Sequence, residues 1–205
     1  VVIVGSGAAG GMLAHELAQI SREDDKPLKI VVLEKGLHVK PSDFSEDEAE
    51  MVGKLYGSNA LQISRSLRFT VLQGSCVGGT TVVNNAVCFD TPEEVLERWN
   101  TRGFKRPSEG DVLDSERYYA SQAAVRDLMR IKPISAGTRQ PLEGGVLNHG
   151  DAVLRKGVET FLNGDERYDF DVVEANIVDC LGCGYCNIGC AYGRKMSMLD
   201  WLLPK

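Results

Sequence analysis

Val1-Val2-Ile3-Val4-Gly5-Ser6-Gly7-Ala8-Ala9-Gly10 opens the chain and decides its fold. Four consecutive apolar residues predict a strand covered on both faces. A G-x-G-x-x-G run begins at Gly5 without a gap. A helical period follows, with Ala8, Met12, Leu13, Leu17 and Ile20 on one face. Lys29–Leu33 reads as a second buried strand and ends on Glu34. Strand, glycine turn, helix, strand and acid in that order predict an α/β, Rossmann-like βαβ unit that binds a dinucleotide. Gly5 permits the tight turn, Gly7 lets the main chain approach a pyrophosphate, and Gly10 lets helix and strand pack closely. The anion is expected on the free N–H groups at the helix start. Glu34 is placed to accept hydrogen bonds from ribose hydroxyls. Ser6 and Ala9, between the glycines, and Lys35, after the acid, complete the candidate contacts. An acid at this position disfavours a 2′-phosphate, so NADP is the weakest ligand and FAD and NAD stand.

A second glycine cluster lies farther along. Thr70-Val71-Leu72-Gln73 reads as a strand or extended segment and runs into Gly74-Ser75-Cys76-Val77-Gly78-Gly79-Thr80-Thr81-Val82-Val83-Asn84-Asn85. Paired glycines followed by hydroxyl residues expose main-chain N–H groups to a ligand. Asn84 and Asn85 both donate and accept, which suits a ring with alternating donors and acceptors. A surface loop that uses glycine for its turns is the competing reading.

Together the two clusters resemble the glucose–methanol–choline (GMC) family of FAD-dependent oxidoreductases. That family joins G-x-G-x-x-G and an acid to a later G-x-x-x-G-G-Ser/Thr-Ser/Thr-x-x-N segment. Gly74 to Asn84 matches it at every fixed position. The resemblance is good over residues 1–90 and 176–205 and weak over 91–175. It implies a Rossmann-like FAD-binding portion over 1–100, a helical or mixed insertion over 101–175 belonging to a partly present substrate domain, and a Cys-rich segment over 176–205 leading back to the FAD domain. It also implies that Gly78, Gly79, Thr80 and Asn84 run along the FAD, with Asn84 near the flavin. Members that tether the flavin covalently carry His next to that Asn. Val83 stands there, so non-covalent FAD is expected.

Cys180-Leu181-Gly182-Cys183-Gly184-Tyr185-Cys186-Asn187-Ile188-Gly189-Cys190 has the C-x2-C-x2-C-x3-C spacing of a bacterial ferredoxin run, except that Ala191 replaces the usual Pro. With only one run present, three ligands and an iron–sulfur cluster of the 3Fe-4S type fit the spacing. In the resembled family, some periplasmic sugar and alcohol dehydrogenases carry such a cluster on C-x5-C-x3-C, which falls on Cys180, Cys186 and Cys190. Cys183 is then an extra thiol or the fourth ligand of a 4Fe-4S cluster. A branch resembling long-chain alcohol oxidases has a similar segment without an assigned cluster. Structural zinc, disulfides and free thiols stay open. Cys76 and Cys88 read as small buried hydrophobes. After the run, Lys195 and Ser197 in Gly193-Arg194-Lys195-Met196-Ser197 are read as capping and solvating a helix start, with contact to the flavin domain as the alternative.

The remaining segments predict helices. Ser45–Glu50 is a capped acidic start. At Thr91-Pro92-Glu93-Glu94, Thr caps, Pro sits in the first turn and acids face the dipole. Val95, Leu96 and Trp99 form the stripe of that helix. Ser115–Met129 and Asp151–Leu162 follow, the latter capped by Asn148 or Asp151. Residues 132–150 read as a connection, and Asp169–Ile177 has strand character. His15, His38 and His149 share no ligand spacing and receive no catalytic role.

The chain has 205 residues, 43% hydrophobic and 25% charged, with 29 acids against 23 bases and a net charge of −6. That balance opposes nucleic-acid binding. No apolar run is long enough to span a bilayer. Val1 inside a strand pattern, and the stop after Leu203-Pro204-Lys205, read as edges of a longer protein. The resemblance implies FAD-dependent oxidation of a small-molecule alcohol, with a base removing the hydroxyl proton as hydride leaves for the flavin. The family's base is a His toward its C-terminus. It would lie on the remainder of the protein or on a companion chain. Electrons would pass to an acceptor protein, a quinone or oxygen. Alternatives are an NAD-dependent dehydrogenase, a non-catalytic electron-transfer subunit, and a fragment that folds only in an assembly. A reduced cluster-binding run suits the cytoplasm or export to the periplasm after folding.

Overall fold

The computed structural model describes residues 1–22, 27–102, 113–134, 149–165 and 172–204. Strand β1 (Val2–Val4) leads through helix α1 (Ala8–Arg22) to β2 (Val31–Leu33), and the strands pair in parallel with Ile3 opposite Val32. This is the predicted βαβ unit. Its covering is less complete than expected. Ile3 is buried, yet Val2 and Val4 are 64% and 84% exposed. Only two strands pair here, and no layer among the described residues covers their outer faces. Helix α1 departs in the same way. Met12 and Leu17 are half-buried, while Ala8, Leu13 and Ile20 are exposed. Its tight contacts are made by small residues instead. Gly11 lies against the Met198 side chain, and Ser21 accepts a bond from the Leu28 amide at 2.5 Å. His15 is half-buried.

Helix α2 (Glu48–Leu55) starts as predicted, with Asp47 as the cap accepting from the Glu50 amide at 2.9 Å. Met51 and Leu55 from its inner face are fully buried. They join Val39, Phe44, Cys76, Val82, Val83, Ile188 and Leu199 in the main core. That core is where the second glycine cluster and the Cys-rich run meet. A short hairpin, β3 (Gln62–Ile63) with β4 (Thr70–Val71), precedes the cluster, and α3 (Thr80–Val83) follows it.

Helix α4 (Glu93–Arg102) begins beside Pro92, whose carbonyl accepts from Val95 and Leu96. Thr91 does not behave as the predicted cap. Its hydroxyl pairs with that of Tyr118 at 2.7 Å and its amide donates to Gln122, so it ties α4 to α5 (Ser115–Leu128). Of the predicted stripe, Leu96 is buried. Trp99 stays partly exposed and meets the Tyr118 ring edge-on. Strand β5 (Lys132–Pro133) pairs with β6 (Glu174–Ala175), after α6 (His149–Leu162). Asp151 sits within the first turn of α6 rather than capping it. Asn148, most of the 132–150 connection, and Asp169–Asp171 lie outside the described residues. Among the described residues no helix is long and apolar enough to cross a membrane.

Leu55 has no exposed surface and lies at the centre of the main core. Leu55→Ala should therefore lower stability by about 2–5 kcal/mol through lost burial and the cavity left behind, read as the midpoint shift in urea.

Candidate functional site

The Gly5–Gly10 turn is built by main-chain bonds. The Gly5 amide donates to the Leu33 carbonyl at 2.7 Å, and the Gly11 amide to the Gly7 carbonyl at 2.8 Å. A β-carbon on Gly10 would collide with the Gly5 carbonyl oxygen, so its absence sets the close helix-to-strand packing that the sequence predicted. Ala9 is exposed beside Gly7, and Lys35 is exposed beyond the acid.

Ser6 and Glu34 do more within the fold than expected. Ser6 is buried. Its amide and hydroxyl both donate to Glu34 Oε2, at 2.8 and 2.6 Å, while Glu34 Oε1 accepts from the Gly36 amide at 2.8 Å. The Ser6 hydroxyl also accepts from the Gly78 amide at 2.9 Å, across 72 residues of sequence. Glu34, read as a ribose ligand, thus also anchors a relay from β2 through Ser6 to the second glycine cluster. Burial pushes its carboxyl upward, but bonds from the Ser6 hydroxyl and from the Gly36, Ser6 and Lys35 amides outweigh this and hold its pKa below the usual value.

The second cluster is brought alongside by the same relay and by two main-chain bonds. The Val77 amide donates to the Leu37 carbonyl, and the Ser75 amide to the Leu55 carbonyl. Gly79 adopts φ +56°, and a β-carbon there would lie 2.9 Å from the Gly7 α-carbon. Two stretches of main chain therefore touch where Gly79 can carry no side chain. Thr80 is exposed at the start of α3 and accepts from the Gly74 amide at 3.1 Å, and Thr81 donates to the Gly78 carbonyl. Asn84 and Asn85 end the strip on the surface, and Asn84 Oδ1 accepts from the Ala86 amide at 3.2 Å. The structure thus gathers Gly5, Ser6, Gly7, Gly10, Glu34, Gly78, Gly79, Thr80 and Asn84 into one continuous region.

The Cys-rich segment braces this region from behind. Ile188 packs in the core with Val82 and Val83, and the Tyr56 hydroxyl donates to the Asn187 carbonyl at 2.5 Å with the Val83 carbonyl at 3.2 Å. All six cysteines are free. Cys183 is exposed and Cys190 buried, while Cys180 and Cys186 are intermediate. No group of three or more Cys, His, Asp or Glu among the described residues converges to hold a metal. The four thiols as placed do not fit an iron–sulfur cluster. Burial raises the Cys186 thiol above the usual value. Cys76 is the buried hydrophobe expected, its thiol pushed up to about 11, first by burial and then by Glu34.

Ser197 caps the turn Met198–Leu202 by accepting from the Asp200 amide, as predicted. Lys195 does not meet the solvating role. It is fully buried, and its Nζ donates to the carbonyls of Val82, Asn84 and Cys186 at 2.6, 2.9 and 2.7 Å. The G-x-K-x-S spacing marked the position, but nothing local in the sequence shows where three carbonyls converge.

The family model for GMC oxidoreductase matches residues 2–205. Long-chain-alcohol oxidase FAO1 of Arabidopsis thaliana is 33% identical over 204 residues, 98% of this chain and 24% of that protein. Long-chain-alcohol oxidase FAO3 of the same plant is 31% identical, over 99% of this chain and 24% of its own length. This chain spans about a quarter of the length of either oxidase. A solved structure, described as showing the effect of a mutation on FAD modification in Aspergillus oryzae RIB40 formate oxidase, superposes with a TM-score of 0.54. It has 15% identity and covers 98% of this chain and 36% of that one. That likeness supports the Rossmann-like α/β fold.

The Glu34–Ser6–Gly78 relay can be checked in two ways. Ser6→Ala strands the Gly78 amide and should destabilise the protein by about 1–3 kcal/mol, measured by chemical denaturation. Because Glu34 is more acidic folded than unfolded, its contribution is present above the ordinary carboxylate value near pH 4.3. It is lost as pH falls through the lower folded value. Glu34→Gln should flatten that part of the curve of melting temperature against pH.

Proposed function

Because this chain belongs to the GMC oxidoreductase family, we propose that it is the FAD-binding portion of a larger flavoprotein that oxidises an alcohol CH–OH to a carbonyl. The supporting observation is the contact of Gly79 with Gly7, which makes one strip of bare main chain out of two glycine clusters 72 residues apart. A cradle that a β-carbon on Gly10 or Gly79 would crowd is what the pyrophosphate and ring of a dinucleotide require for close approach. Gly5, Gly7 and the start of α1 would hold the phosphates, with Ala9 and Gly10 beside them. Glu34 and Lys35 would face the ribose. Gly78, Gly79 and Thr80 would line the path to the ring, and Asn84 with Asn85 would meet its polar edge. NAD bound at the first cluster alone would leave that second path without a ligand.

When bound, the flavin supplies a hydride acceptor for the alcohol carbon, while the hydroxyl proton goes to a base. That base, a His toward the C-terminus in the resembled family, would be supplied by the remainder of the protein. The names of the Arabidopsis relatives favour a long-chain alcohol as substrate. Since the described thiols do not gather, oxygen, a quinone or an acceptor protein would take the electrons without passage through iron. Val83, where a tethering His would stand, favours FAD held without a covalent bond.

The full-length protein should purify yellow, release all its flavin into the supernatant on acid precipitation, contain no stoichiometric iron or acid-labile sulfide, and bleach on addition of a long-chain alcohol without oxygen. A colourless protein reducing NAD would overturn the reading. Flavin that stays in the pellet would overturn its non-covalent part alone.

A further inference from the structure

Resting on the placement of Asn84 against the flavin, we propose that Lys195 is a positioning residue for the cofactor. Its buried ammonium clamps the Val82–Asn84 turn to the Cys-rich segment and thereby aims the Asn84 amide.

An ammonium has three donors and no acceptor. Here all three are spent on main-chain carbonyls, in a position with no solvent contact. Burying a charge without partners is prohibitive, so the arrangement stands only as a complete set. Two of the acceptors, Val82 and Asn84, flank the end of α3, and the third, Cys186, belongs to the run behind it. One atom thus joins the front and back of the site.

Asn84 is fixed at each of its other ends. Its amide donates to the Thr80 carbonyl at 3.0 Å, its carbonyl accepts from Lys195, and its Oδ1 accepts from Ala86. Only Nδ2 has no partner among the described residues, and the side chain is exposed. The next bend supports the same conclusion. Ala86 is fully buried at φ +62°. A non-glycine residue in that region is strained, and such strain persists where the surroundings over-determine it. The clamp leaves Nδ2 as a donor directed outward and places a positive charge directly behind the turn. Both properties would favour the negative charge that develops on a flavin as it is reduced.

The test uses the full-length holoprotein and compares Lys195→Met, Asn84→Ala, the double variant, and Leu96→Ala. Leu96 is buried on α4, so that variant is a control for lost stability alone. Lys195→Met should weaken FAD binding to the apoprotein tenfold or more, displace the visible flavin band and make the reduction potential more negative. Leu96→Ala should lower the melting temperature without these effects. In the Asn84→Ala background, Lys195→Met should add less than twofold to the loss of FAD affinity, because the two act through one contact. Should Lys195→Met not fold, Lys195→Arg carries the same comparison, since a guanidinium keeps the charge but cannot repeat three converging bonds. Losses of FAD affinity from Lys195→Met and Asn84→Ala that multiply independently, or a Lys195 variant that resembles Leu96→Ala, would overturn the positioning role. A parent protein without flavin would instead overturn the functional reading on which the role rests.

Discussion

The candidate site is arranged around one contact, the approach of Gly79 to Gly7. Main chain meets main chain there, and a single β-carbon on Gly79 would come within 2.9 Å of the other α-carbon. Such a contact contributes little attraction of its own. It is held by what surrounds it: the Glu34 carboxylate drawing in Ser6, Ser6 receiving the Gly78 amide, and the core of α2 fixing the second cluster from below. The relay crosses from β2 to α3 through one serine hydroxyl that both donates and accepts. An alanine there would keep the shape and lose the link.

Much of the fold was legible in the order of residues, because local rules decide it. A buried strand, a turn with glycine where a β-carbon would collide, and an acid ending the second strand constrain one another, and β1, α1 and β2 form accordingly. The start of α2 could be read from its acids, and Asp47 caps it. Where side chains choose partners far away, the local signal fell short. Thr91 has the chemistry of a cap, yet Tyr118 and Gln122 take its hydroxyl and its amide. Leu13 and Ile20 have the spacing of a core face, but α1 makes its close contacts through Gly11 and Ser21. Glu34 stands where a ribose ligand is expected, and its internal bonds to Ser6 and Gly36 depend on how two loops fold together.

The Cys-rich run shows the difference between spacing and geometry. Its thiols recur at intervals that suit a cluster, and its glycines give the backbone freedom. The described residues nevertheless use the segment through other atoms: the Ile188 side chain, the Asn187 carbonyl and the Cys186 carbonyl. The segment works as a wall. Lys195 is the point where that wall is fastened to the turn in front of it, and its burial could not be inferred from a lysine that sequence rules place at the surface.

A bare backbone strip also shapes how such a protein can change over generations. Where no side chain exists, there is none to enlarge, shorten or recharge, so replacements at Gly10 or Gly79 are all-or-none and selection there can only purge. Gradual adaptation to a new substrate or acceptor must then accumulate in the rim and in the supporting layer.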